Sequence, residues 1–301
     1  MGFFNPRKPR KSYDLLRSCS WYTPGVGGMF VVLGWFLGGM LLAGLVCALL
    51  IAMGLGLPYI MLIMYPLQFL PLLIFVKFKS TTNAPFDDGY SLDSNHFGGK
   101  GILLTVLAVA GTLAASVLLE AVNHFLPEVS EDLKKTLEAL SDAPLWISLL
   151  CTAVFAPFFE EWMCRGIVLR GLLNNGKKPL NPALAIVISA FFFAAIHGNL
   201  WQGITAFLIG CLLGYVYYRT GSLKLTMLMH CANNTLSIIL GHFGSQEVRD
   251  AKSLLDMISL KEYLVLFAIS AVILFFFIRQ VKSVHPESRQ GNCDIIPRIS
   301  S

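Results

Sequence analysis

The sequence predicts an all-α protein, a polytopic transmembrane helical bundle of about eight spans. Three observations carry that prediction. The chain of 301 residues is 55% hydrophobic and 14% charged, with a mean hydropathy of +0.65, well outside the composition of soluble domains. Apolar runs close to the roughly 20 residues that a helix needs to cross a bilayer recur along it. Basic residues gather between alternate runs, as they do in cytoplasmic loops. One bundle is expected, not two domains.

Taken in order, residues 1–27 form a basic cytoplasmic N-terminal segment containing Arg7, Lys8, Arg10 and Lys11. The apolar run that follows is too long for a signal peptide and lacks a small-residue cleavage site, so a retained first span is expected. Pro6 stands where a myristoylation signal has Ser or Thr, and Cys293 lies too far from the C-terminus for prenylation, so no lipid anchor is expected. Residues 28–123 hold three spans (28–54, 57–76 and 101–123), the second punctuated by Pro58, Pro66 and Pro71. Residues 124–143 form an outer loop with leucines at helical spacing among charges, which reads as an amphipathic surface helix. Core spans follow over 145–243 (145–172, 182–198, 201–218 and 223–243). A last span at 262–280 precedes a disordered cytoplasmic tail, 281–301.

Charge placement orients the bundle. With both termini in the cytoplasm, Lys77, Lys79, Lys100, Arg170, Lys177, Lys178, Arg219 and Lys224 fall inside. Lys134, Lys135, Arg249, Lys252 and Lys261 fall outside, where the first loop is acidic. The expected location is the cell (plasma) membrane, multi-pass, with both termini cytoplasmic. The net charge of +5 is thereby absorbed by topology, and no nucleic-acid partner is expected. The seven cysteines are scattered without a Cys-x-x-Cys pair, which argues against a disulfide framework and a thiolate zinc site.

The chemistry begins at Phe158-Phe159-Glu160-Glu161-Trp162-Met163-Cys164-Arg165. Each charge at a helix centre costs about 2.5 to 3.5 kcal/mol on insertion scales, so three within six positions imply a buried polar site. Glu161 and Arg165 are four residues apart with the acid first, the favourable order for a pair. Glu160 points about 100° away around the helix and lacks that partner, which leaves it free for proton transfer. Pro157 cannot donate a backbone bond and is expected to kink the span and free a carbonyl near the site. An inert structural ion cluster would account for the three charges alone.

Two later spans change that balance. One ends Phe193-Ala194-Ala195-Ile196-His197, and the other carries His230-Cys231-Ala232-Asn233-Asn234. Singly, these read as an interfacial histidine and a helix–helix hydrogen bond. Together with Glu160 they supply a base, imidazoles and a neutral donor, the groups needed to hydrolyse an amide.

Glu160-Glu161-x-x-x-Arg165-Gly166, Phe193-x-x-x-His197 and His230-x-x-x-Asn234 resemble, in order and spacing, the three motifs of the CAAX prenyl protease type II family, also called the CPBP intramembrane metalloproteases. The segment Gly210 to Leu223 resembles the stretch before the family's last motif, so the likeness covers about residues 145–240. Cys164 stands where the family often has an aromatic residue, and Met229 where it often has proline. The resemblance implies an intramembrane endopeptidase in which Glu160 activates water with help from His197. His230 and Asn234 would stabilise the oxyanion, and Glu161 with Arg165 would brace the site. It implies a membrane-embedded or lipidated peptide substrate, prenylated in the eukaryotic branch.

No cofactor is favoured. Zinc, were it bound, would take Glu160, His197 and His230, but the spacing lacks the His-Glu-x-x-His pattern that puts two ligands on one helix. Two other readings stay open at this stage. One is a proton- or ion-coupled transporter using Glu160, which the absence of an internal repeat disfavours. The other is a non-catalytic membrane scaffold or bacteriocin-immunity protein, which the complete motif set disfavours.

Overall fold

The computed structural model describes residues 17–84, 89–94, 101–127, 129, 131, 134–135, 138, 142–175, 178–245 and 253–284. Among them the long elements are all helical: α1 (Val26–Ala52), α2 (Leu57–Asn83), α3 (Gly101–Phe125), α4 (Leu145–Asn174), α5 (Pro182–Ala195), α6 (Leu200–Thr220), α7 (Leu223–Phe243) and α8 (Leu260–Lys282). Each expected span corresponds to one of these helices, and α2 runs unbroken through Pro66 and Pro71. About eight spans is compatible with these eight helices, of which six, among the described residues, are long and apolar enough to cross a membrane. The 14 residues of α5 reach only about 21 Å, against a hydrocarbon core of roughly 30 Å. The 21 residues of α7 suffice in length, but Lys224, His230, Asn233, Asn234 and His242 interrupt its apolar character.

Residues 1–16, most of the outer-loop helix and residues 285–301 lie outside the described residues. Within the outer loop, Glu131, Lys134, Lys135, Glu138 and Asp142 are helical and exposed. The tail does not begin at 281 as expected, since Val281 and Lys282 complete α8. Within the segment 1–27, Cys19 and Ser20 are buried.

The helices differ in what surrounds them. Only 17% of the apolar 18-residue stretch of α1 and of α8 is buried, against 56% for α4. Lipid solvates leucine as well as a protein core does, so an apolar helix gains little by moving inside. A helix carrying Glu160, Glu161, Arg165 and Arg170 must find protein partners, and this sends α4 to the centre. Around it pack Phe36, Phe69, Leu72, Phe192, Phe193, Tyr217 and Leu223. A second cluster joins α3, α6, α7 and α8 through Leu104, Leu213, Met229 and Phe277. At the α1–α2 contact a Cβ on Gly39 would stand 1.9 Å from the Gln68 carbonyl oxygen, so only glycine permits that approach.

Arg170 ties the loops to the end of α4. Its buried guanidinium donates to the carbonyls of Gly166 (2.6 Å), Ser20 (2.9 Å), Tyr90 (2.7 Å), Cys19 (3.2 Å) and Tyr22 (2.6 Å). Residues 19–22 and 89–94 are thereby held on one end of the bundle. The second segment is further fixed by the Tyr217 hydroxyl donating to Leu92 O at 2.8 Å. Asp93 also accepts from Ser222 Oγ and Lys224 N at the start of α7.

Candidate active site

The glutamates lie on a short α-helical stretch, Ala156–Glu161, between two π-helical stretches of α4, Leu149–Phe155 and Trp162–Leu169. Such wide turns recur at functional sites, and here proline chemistry explains part of the first. Ala156 N–H bonds the carbonyl five residues back, Cys151 O. The next residue, Pro157, has no N–H to offer Thr152 O. Asn234 Nδ2 from α7 donates to that oxygen instead, at 2.8 Å. The carbonyl that Pro157 was expected to free is therefore Thr152 O, and Asn234 has one amide hydrogen committed to it.

Glu161 is wholly buried. Its Oε1 accepts from Arg165 Nη1 at 2.7 Å, both side chains being 0% exposed, and lies 3.2 Å from His230 Nδ1. A carboxylate only accepts, so His230 carries a hydrogen on Nδ1 in this contact. Arg165 also donates through Nη2 to Gly210 O at 3.0 Å, and its Cζ sits 4.5 Å from the centre of the Phe193 ring. Glu161 and Arg165 thus join α4 to α6, α5 and α7 at one point.

Glu160 lies at the edge of this cluster, its side chain 12% exposed. The sequence left it without a partner, but the Tyr65 hydroxyl, from α2, donates to its Oε1. Its Oε2 stands 3.9 Å from His230 Nε2, beyond hydrogen-bond reach. His230 therefore lies between the two carboxylates, bonded to Glu161 and facing Glu160.

His197 lies beyond the helix, because α5 stops at Ala195 and His197 belongs to the reverse turn into α6. Gly198 holds φ at +68°, a left-handed conformation that favours glycine. Asn199 caps α6 by accepting from Gln202 N at 2.8 Å and donates to His197 O at 3.0 Å. The imidazole Nδ1–H donates to Phe193 O at 2.8 Å, which leaves Nε2 as the free nitrogen. Phe193 packs edge-on against both His197 and His230, with ring centres 5.0 and 5.5 Å away. The structure thus brings Glu160, Glu161, Arg165 and His230 into one cluster. His197 is joined to it through Phe193, and Asn234 through Thr152.

Residues 142–236 match the family described as type II CAAX prenyl endopeptidase Rce1-like. That is the family that the three motifs resemble. No curated protein matches the chain, and no solved structure does. The Rce1-like segment is about a third of the chain, and it contains Glu160, Glu161, Arg165, His197, His230 and Asn234. The match supports a CAAX intramembrane protease in general terms, and the six apolar helices fit a membrane protein.

The metalloprotease label attached to the resemblance asks whether these residues suit a metal. Among the described residues no three His, Cys, Asp or Glu side chains gather closely enough to hold an ion. Glu160, His197 and His230, as arranged, do not form a ligand set, and the chemistry below is derived without one.

The contacts of three groups in and near this cluster escaped the sequence reading. Tyr65 lies 95 residues before Glu160 on an uncharged helical stretch and gave no signal. Phe193 was visible one turn before His197, but its contact with Arg165 was not. Arg170 was read as a topology charge, although its place within the apolar run 145–172 marked it as a buried cation.

Proposed function

We propose that the chain is an intramembrane endopeptidase that hydrolyses a peptide bond in a membrane-associated peptide or protein, with Glu160 as general base. Glu160 Oε2 removes a proton from water as the water oxygen bonds to the scissile carbonyl carbon. The carbonyl oxygen then bears the negative charge of the tetrahedral intermediate. Breaking the C–N bond, with the proton passed from Glu160 to the departing nitrogen, yields a carboxylate and an amine. His197, through its free Nε2, orients the water. The Nε2–H of doubly protonated His230 and the second amide hydrogen of Asn234 stabilise the oxyanion, while Glu161 and Arg165 brace His230 through Nδ1. No metal takes part in this scheme.

The observation that carries the reading is the division within the glutamate pair. Glu161 is engaged by Arg165 and His230 Nδ1, whereas Glu160 keeps an oxygen directed at His230 Nε2 without a bond to it. An inert ion cluster would have no use for a second carboxylate in that state. The enzyme is expected in the plasma membrane with both termini cytoplasmic, and its substrate is expected to be embedded in the bilayer or lipidated. Comparing membrane peptides from cells carrying the wild type and Glu160→Ala tests the proposal. Peptides cut only by the wild type are the expected result. Identical peptide sets, together with altered proton-coupled uptake in Glu160→Gln, would favour a transporter.

A further inference from the structure

The Tyr65–Glu160 contact reaches outside the Rce1-like segment. Tyr65 lies on α2, while the match begins at residue 142. Its hydroxyl donates to Glu160 Oε1. The ring is held by a stack of aromatic side chains that joins α2 to α4. Tyr65 packs on Phe69 with centres 6.0 Å apart, and Phe69 stacks on Phe159 at 5.0 Å with the rings 11° from parallel. Phe159 is the residue immediately before Glu160, so the stack registers the phenol against that carboxylate.

A glutamate carboxylate turns about a terminal torsion that is broad and nearly two-fold, so by itself it does not choose which oxygen faces the reaction. With both ring nitrogens protonated, His230 donates through Nδ1 to Glu161 and its Nε2–H competes for Glu160. A small rotation would close the present 3.9 Å gap to Oε2 into a charge-assisted hydrogen bond, and the base would be consumed. We propose that Tyr65 is a positioning residue: by occupying Oε1 it holds Oε2 short of His230 and open to water. The inference rests on the reading of Glu160 as the base, and it makes α2 part of the site.

The test uses full-length protein in lipid nanodiscs, with 3-fluorotyrosine or phenylalanine at position 65. The probe is an internally quenched peptide ending in a farnesylated CAAX sequence. Tyr65→Phe should lower kcat by about 10- to 100-fold, part of the roughly 100- to 10,000-fold that a positioned general base contributes. KM and the thermal midpoint should stay near their wild-type values. The fluorinated tyrosine keeps the hydroxyl and should keep most of the rate. Its 19F resonance should move when Glu160→Gln is introduced, and this arm decides the contact even where the probe is not cut. A Tyr65→Phe protein with wild-type kcat, or a 19F resonance indifferent to Glu160→Gln, overturns the inference. Full cleavage by Glu160→Gln overturns the base assignment instead, so the two failures are distinguishable.

Discussion

Glu160 and Glu161 are chemically identical neighbours, and their contacts alone assign them different work. Removing the cation from Glu161 would leave a wholly buried carboxylate uncompensated, a change that typically costs about 3 to 5 kcal/mol. Arg165→Met is therefore expected to lower the thermal midpoint sharply, whereas Glu160→Gln should unfold near the wild type. Parallel unfolding curves in one detergent check this. The pair was legible because two residues four apart on a helix meet, whatever surrounds them. Tyr65 was not, because no local spacing links it to Glu160. Their contact depends on how α2 lies against α4, which only packing decides. Asn234 shows the converse. Its place in a motif was readable, but the carbonyl it satisfies became visible only with the register of α4.

Elements of this chain bend their hydrogen-bond ladders to make the site. The break at Pro157 leaves Thr152 O to Asn234, so Asn234→Ala should strand a buried acceptor at a cost of about 1 to 3 kcal/mol. It should also slow cleavage by roughly 100- to 1000-fold if an oxyanion donor is lost. Pro157→Ala restores a backbone N–H that can reach Thr152 O in the same register. The double variant Pro157→Ala/Asn234→Ala is then expected to be more stable than the sum of the single effects predicts, as measured in a double-mutant cycle. Strict additivity would contradict the Thr152 contact. The turn after α5 makes a second prediction. Gly198→Ala places a side chain at φ +68°, which should cost about 1 to 2 kcal/mol, displace His197 and reduce kcat. The freed carbonyl near Pro157 was readable from one residue. The π-helical stretches were not, since they follow from the packing of both faces of α4.

The whole molecule is organised by what lipid cannot solvate. Apolar α1 and α8 stay at the periphery while charged α4 is buried, and this arrangement was foreseeable from charge placement alone. The short α5 leads into the turn that holds His197, and polar α7 carries His230 and Asn234. Arg170 extends the same logic to the loops, since five carbonyls share one guanidinium. Lysine has a single ammonium in place of that planar fork. Arg170→Lys should therefore lower the thermal midpoint and expose residues 89–94 to limited proteolysis, which mass spectrometry of the fragments would detect.

The central claim is that Glu160 activates water within the bundle. Cleavage of the farnesylated probe by purified wild type and Glu160→Ala in nanodiscs, each with and without a chelator, tests it most directly. The account predicts wild-type cleavage that the chelator leaves unchanged and no turnover by Glu160→Ala. Measurable cleavage by Glu160→Ala would contradict it.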